Sequence, residues 1–295
     1  MKLLVTGASG FLGWHVTQLA ARSWQVYGTM RSTSPRGMPE IPGVTAIPLD
    51  LTDSAALQET FQQVRPDAVI HLAAESSPNR CQTDPEGSHA VNVTAAANVA
   101  GFCAEAAIPC VFTSTELVFD GRNAPYRETD PVCPLSRYGE QKVLAEQAML
   151  ARYPQTAVCR MPLMFGDVPP HASSFLQPWL ETLRQGREVR LFVDEWRTPV
   201  SGRTAAQGLL LAIDRQVTGI LHLGGAERIS RYELGQLLVE ILDVPASGLV
   251  ACRQQDVPMA APRPADVSLD SSQAFALGYQ PPAIRAELLA LRGRV

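Results

Sequence analysis

Residues 2–13 read KLLVTGASGFLG, a strand-like run from Lys2 to Thr6 followed by three glycines, Gly7, Gly10 and Gly13, in TGxxGxxG spacing. Behind them Phe11, Leu12, His15, Val16 and Leu19 share one helical face, so the glycines join a strand to a helix. In that setting Gly7 permits a tight turn, Gly10 lets the backbone approach a pyrophosphate, and Gly13 lets the helix pack close to the sheet. The amino terminus of the helix then favours phosphate charge. The stretch predicts a dinucleotide cradle built from Gly7, Ser9, Gly10, Phe11 and Leu12.

The strand–helix alternation continues outward from this start. Short apolar runs over 2–6, 25–29, 44–48, 67–72, 109–114 and 156–161 suit strands buried on both faces. Helical patterns lie between them, including one after the turn signal Thr52-Asp53, one over 92–107 and one over 138–152. This order predicts an α/β fold: a Rossmann-type, doubly wound parallel sheet with a smaller carboxyl-terminal α/β substrate lobe. Proline and glycine thicken after residue 165. Residues 166–174 read as a loop, 175–185 as a helix, 219–224 as a late strand, 231–242 as an amphipathic helix and 252–267 as a Pro-rich loop region. Residues 1–165 are therefore expected to form the dinucleotide-binding domain, with returning segments near 197–224. Residues 166–295 would mainly form the substrate lobe.

Several later positions refine the expected cofactor. The second strand ends at Gly28-Thr29-Met30-Arg31-Ser32, where an NAD-preferring site carries a carboxylate for the ribose 2′-hydroxyl. Met30 cannot serve, whereas Arg31, Ser32 and Arg36 can pair with a 2′-phosphate. NADP is expected over NAD, against the plainer reading of Arg31 as a solvated loop charge. Asp50 and Leu51 would border the adenine, and Ala73 and Ala74 are small enough for a dinucleotide to pass closely.

The chemistry is carried by Tyr138 and Lys142, four apart on a helix and so on one face. A lysine ammonium lowers a neighbouring phenol's pKa and can hold a nicotinamide ribose. Tyr138 can then exchange a proton with a carbonyl oxygen as hydride reaches or leaves the carbon. Thr115, just past the fifth strand, is placed to hydrogen-bond the same oxygen.

Composition sets the outer limits. Hydrophobic residues make up 46% of the 295 and charged ones 18%, as in a folded soluble domain. The net charge of -4 offers no footprint for nucleic acid. No signal peptide or long apolar span is visible, so a cytoplasmic protein without membrane contact is expected. The six cysteines lack zinc-ligand spacing and read as reduced, buried thiols, and no metal site is expected. His71 and His222 lie in strand-like runs and read as packing residues.

Taken together, TGASGFLG, HLAA at 71–74, Asn92, STELVF at 114–119, YGEQK at 138–142 and RMPLMFG at 160–166 resemble the extended short-chain dehydrogenase/reductase family over nearly the whole chain. The resemblance implies action on nucleotide-linked sugars, with Thr115, Tyr138 and Lys142 as the catalytic trio and Asn92 as a structural or cofactor-side helper. Within the family the chain is most similar to the dTDP-4-dehydrorhamnose reductases. That implies NADPH-dependent reduction of a nucleotide-linked 4-keto-6-deoxy sugar. The substrate side would involve Glu75, Glu116, Arg203 and Arg263, the last within the RPxD motif Arg263-Pro264-Ala265-Asp266. Arg197 is another plausible anion-binding group, and a salt bridge to the core domain is the alternative role for Arg263. Glu116-Leu117 stand where the reductases carry Asp-Tyr, and Leu117 stands where dehydratases place a glutamate. In an extended segment Glu116 would face away from that position. Two alternatives stay open: an epimerase of the same family, and an NADP-binding regulatory protein resembling that of methionine adenosyltransferase. The family's dimers suggest a homodimer paired through 92–107 and 138–152.

Overall fold

Alternation along each strand assigns its side chains to two layers. Leu3 and Val5 face one side of the sheet with Val26, Ile70, Val111, Cys159 and Leu221. Leu4 faces the other with Val69, Cys110, Phe112 and Val158. Both sets are buried, so the sheet must be covered by helices on both faces.

The computed structural model describes residues 1–31, 42–169, 172 and 174–295. Its first part runs β1 (Lys2–Thr6), α1 (Phe11–Ala20), β2 (Gln25–Met30), β3 (Val44–Pro48), α2 (Ser54–Val64), β4 (Ala68–His71), α3 (Pro78–Thr83), α4 (Pro85–His89), α5 (Ala95–Ala106), β5 (Cys110–Thr115), α6 (Arg137–Arg152) and β6 (Ala157–Met161). Next come β7 (Met164–Phe165), α7 (Leu176–Arg184), β8 (Val189–Phe192), β9 (Trp196–Arg197), β10 (Val200–Ser201) and α8 (Gly202–Asp214). The chain ends with β11 (Gly219–His222), β12 (Ile229–Ser230), α9 (Arg231–Leu242), β13 (Leu249–Cys252), α10 (Ser272–Ala276) and α11 (Ile284–Leu291).

Seven strands form one parallel sheet in the order β11-β6-β5-β4-β1-β2-β3. The winding reverses between β1 and β4, which opens a crevice at their carboxyl ends. α1 and α8 cover one face, and α2, α5 and α6 the other. The late strand β11 thus joins the main sheet, and α8 returns to pack on α1. Gly202 makes that approach possible, since a Cβ there would lie 2.3 Å from His15 Cδ2. A second core gathers Leu176, Leu180, Leu183, Leu191, Leu234, Leu238 and Leu288 from α7, β8, α9 and α11. It is a cluster separate from those on the two faces of the sheet and gathers most of the carboxyl-terminal helices into one lobe.

Three local features differ from the sequence expectation. The helix expected over 92–107 begins earlier, as α4, and passes through a π-helical turn over Ala90–Thr94 before α5. Thr115 is the last residue of β5 rather than the first beyond it. Glu116 does not continue an extended segment but starts a 3₁₀ turn, Glu116–Val118. The Thr115 hydroxyl accepts from Leu117 N at 3.2 Å and folds the chain there. Ser32 and Arg36 lie outside the described residues.

Candidate active site

A cleft of about 770 Å³ opens at the winding reversal and runs from the glycine loop to the amino end of α6. Gly7, with φ +69°, turns the chain under Ala73; a Cβ on Gly7 would lie 2.9 Å from Ala73 N. The turn is closed by Gly10 N donating to Gly7 O at 3.0 Å. Gly13 lies so close beneath it that a Cβ would sit 2.1 Å from Gly7 O. Thr6 ties this loop to β4: its Oγ1 accepts from Leu72 N and Ala73 N and lies 2.7 Å from His71 Nδ1. Among the described residues no side chain caps α1 and its first turn carries no acidic residue, so its amino terminus and dipole suit an anion. These residues fit a dinucleotide pyrophosphate, because a side chain at Gly7 or Gly13 would collapse the cradle. Ser9, Phe11, Leu12, Arg31, Asp50, Leu51 and Ala74 all line the same cleft.

The other end of the cleft is built by α6 against the end of β5. Ser136 caps the helix by accepting from Gly139 N at 3.3 Å. Gly139 has its own steric reason: a Cβ would lie 2.4 Å from Leu117 O. The glycine after Tyr138 therefore lets the helix reach the 3₁₀ turn, which brings the Tyr138 phenol close enough to the Thr115 hydroxyl for that group to favour its ionised form. Lys142 lies one turn further in. Its Nζ donates to Thr113 O at 2.7 Å and sits 4.5 Å from the Phe112 ring centroid. Thr115, Tyr138 and Lys142 are each less than a tenth exposed and all line the cleft.

Burial dominates the electrostatics of this trio. It pushes the Tyr138 phenol well above its ordinary value, helped by the negative charges of Cys81, Glu116 and Glu75, while the Thr115 hydroxyl pulls the other way. Burial also lowers Lys142 to about 8, opposed by Glu146 and then Cys81. The sequence led us to expect Lys142 to depress the phenol. Instead the phenol is raised, because loss of hydration outweighs its partners and Lys142 is turned to the Thr113 carbonyl. His71, stacked on Phe112 behind the lysine, is brought down to about 3 by burial and by Lys142.

The substrate-side expectations divide. Glu75 lines the cleft and pairs with Arg80 at 3.2 Å. Asn92 does not line it. Buried in the π turn, its Oδ1 accepts from Glu75 N at 2.8 Å, and its Nδ2 donates to Glu75 O at 3.1 Å and to Gln141 Oε1 at 2.9 Å. It holds the loop after β4 to α6, a structural task. Glu116 lines the cleft but is also locked inside an ionic cluster. Arg197 Nε pairs with its Oε1 at 3.0 Å, Arg197 Nη2 with Glu195 at 3.3 Å, and Arg231 Nε with Glu195 at 3.4 Å. Burial nevertheless raises Glu116 to about 8, with Arg197 opposing. Arg197 is thus a buried structural cation. Arg263 lines the cleft and, among the described residues, forms no ion pair. Arg203 must be corrected: it is exposed on α8, the helix that packs against α1, and is not among the described residues lining the cleft.

Sequence reasoning missed Gln141, Glu146 and Arg160. Gln141 links Asn92 to Pro85 O and Ser88. Its signal was its place inside YGEQK, on the buried side of α6. Glu146 continues the i, i+4 series begun by Tyr138 and Lys142, a signal visible in the sequence. Nothing local announces that Arg160, in an otherwise apolar strand, meets it.

Comparison with known proteins follows the same lines. The family model described as RmlD substrate binding domain matches residues 1–292. Methionine adenosyltransferase 2 subunit beta of Xenopus laevis is 31% identical over 284 residues, covering 94% of this chain and 82% of that protein. A hypothetical dTDP-4-dehydrorhamnose reductase from Sulfolobus tokodaii has a solved structure with TM-score 0.84 and 30% identity, covering 96% of this chain and 98% of the other. The UDP-glucose 4-epimerase of Thermus thermophilus, solved as a complex with NAD, superposes with TM-score 0.83 at 25% identity over the whole of both chains.

Proposed function

Since the chain belongs to the RmlD substrate binding domain family, we propose that it is a nicotinamide-dependent reductase of a nucleotide-linked 4-keto-6-deoxy sugar, using NADPH in preference to NADH. The observation that carries the reading is the buried Thr115–Tyr138–Lys142 trio at one end of a glycine-floored cleft. When bound, the dinucleotide supplies the hydride. The residues do the rest. Thr115 and Tyr138 line the same cleft and would together hydrogen-bond a substrate carbonyl oxygen there. Tyr138 passes its proton to that oxygen as charge develops there, and the raised phenol pKa keeps the proton on it until then. Lys142, charged below about pH 8 and anchored on Thr113 O, would hold the nicotinamide ribose. Leu117, Leu163 and Met164 add apolar lining to the cleft, in keeping with a deoxy sugar. Of the cations that line the cleft, Arg263 is the one assigned to the substrate's diphosphate.

The identity to a methionine adenosyltransferase subunit favours a second reading, an NADP-binding regulatory protein. The intact trio supports turnover instead. An epimerase, the third reading, would take hydride out and return it with no net consumption of cofactor.

Absorbance with dTDP-4-dehydrorhamnose and either NADPH or NADH separates the three. The expected outcome is consumption preferring NADPH, reduced at least about a hundredfold in Tyr138→Phe with dinucleotide binding retained. Tight NADPH binding without turnover on any 4-keto sugar would overturn the enzyme reading. Interconversion of a nucleotide sugar at constant NADPH would favour the epimerase.

A further inference from the structure

Tyr138, Lys142 and Glu146 recur at one-turn intervals on α6, and all three are buried. The proposed reaction uses the first two. Glu146 has the surroundings of a built site. Arg160, on β6, reaches both its oxygens, Nε to Oε1 at 3.0 Å and Nη2 to Oε2 at 2.8 Å. The Ser114 hydroxyl donates to Oε1 as well. Arg160 is wholly buried, with its guanidinium 5.0 Å from the Phe119 ring centroid and Nη1 3.4 Å from His222 Nε2. As a device for stability such a pair is poor, because desolvation offsets most of its Coulomb energy.

Register gives it a purpose. β5 presents Thr113, Ser114 and Thr115 in succession, and α6 is tied to the first two: Lys142 donates to Thr113 O and Glu146 accepts from the Ser114 hydroxyl, while Tyr138 lines the same cleft as Thr115. Glu146 is the last of the three along α6. It is also the foremost group favouring the lysine's charge against burial. Of the other titratable groups, Cys81 on α3 also favours the lysine's charge, His71 on β4 is itself depressed by it, Tyr138 stands one turn earlier on α6, and Arg160 on β6 pairs with Glu146.

We propose that Glu146 is a positioning residue for the reaction: clamped by Arg160 and Ser114, it fixes α6 in register on β5 and holds the ammonium charge of Lys142 at the reacting end of the cleft. The proposal rests on the reading of Lys142 as the lysine of the acid–base pair.

The chain contains only two lysines, Lys2 and Lys142. Protein labelled with ¹³C at lysine Cε therefore gives two resonances, which a Lys2→Arg variant assigns. In Glu146→Gln the Lys142 titration midpoint is expected to fall by about one pH unit or more. It should stay below wild type in Glu146→Gln/Arg160→Met, where a neutral pair of similar volume replaces the ionic one. An unchanged midpoint in the single variant, or a wild-type midpoint in the double, overturns the proposal. If the single variant does not fold, the double decides alone. With a sugar-nucleotide substrate, the alkaline limb of kcat should move down by the same interval, about tenfold in rate per unit, with KM unmoved. Failure of the wild type to turn over any such substrate would count against the reductase reading and leave the lysine titration to decide on Glu146.

Discussion

One methyl group at Gly13 would end 2.1 Å from Gly7 O, well inside any tolerated contact. The glycine spacing could be read from sequence because its cause is local: turn, backbone approach and helix packing all fall within eight residues. Arg31 edges the cleft and bears on Asp50, whose own charge is favoured first by the Thr52 hydroxyl and backbone N–H. In the proposed reaction this exposed guanidinium is the group assigned to a ribose 2′-phosphate. Arg31→Ala should weaken NADPH binding by about 1–2 kcal/mol, roughly five- to thirtyfold, and leave NADH within twofold. Titration of both cofactors by fluorescence checks this; equal wild-type affinities would remove Arg31 from the role. Glu116 shows where residue-level reading fails. Its fate was decided by the 3₁₀ turn after Thr115 and by Arg197, eighty-one positions away.

Among elements, α6 and the π turn before α5 govern the geometry of the site. The YxxxK pair was legible because a helix repeats every 3.6 residues, and its partner Thr115 because strand ends gather at the crevice. The role of Asn92 was only half legible. The sequence offered a structural or a cofactor-side helper; the π turn aims the amide at the Glu75 backbone and at Gln141 rather than into the cleft. Such turns recur at functional sites because they redirect one side chain inside a helix. Asn92→Ala leaves a buried N–H and a buried amide oxygen without partners. It should cost about 1–3 kcal/mol in urea unfolding and lower kcat more than cofactor affinity, since the loop it holds carries Glu75. An unchanged unfolding midpoint would argue against this account.

At the scale of the whole molecule, the cluster of Glu116, Glu195, Arg197 and Arg231 ties the end of β5 to β9 and α9 of the lobe. It also brings a pH dependence. The carboxyl of Glu116 ordinarily titrates at 4.5 and is raised to about 8 in the fold. The folded state therefore holds a proton that the unfolded chain releases across that interval. Its contribution to stability is fully present below about pH 4.5 and is lost as pH rises through 8. Glu116→Gln should consequently melt close to wild type near pH 5 and gain on it by about 1 kcal/mol or more near pH 8.5. Arg197 keeps Glu195 and the carbonyls of Trp196 and Pro264 as partners in that variant. Thermal melts across the range test the sign; a variant less stable at high pH would contradict it.

The sequence by itself determined the parallel alternation, the glycine floor and the Thr–Tyr–Lys grouping, because each follows from short-range periodicity and from where strands end in a wound sheet. Only the tertiary structure decided that Arg203 stands apart from the cleft, that Glu116 is buried among arginines, and that Glu146 meets Arg160 across two elements. Those outcomes depend on which distant side chains share a buried, poorly hydrated space. There, charges must find partners, and no local pattern names the partner in advance.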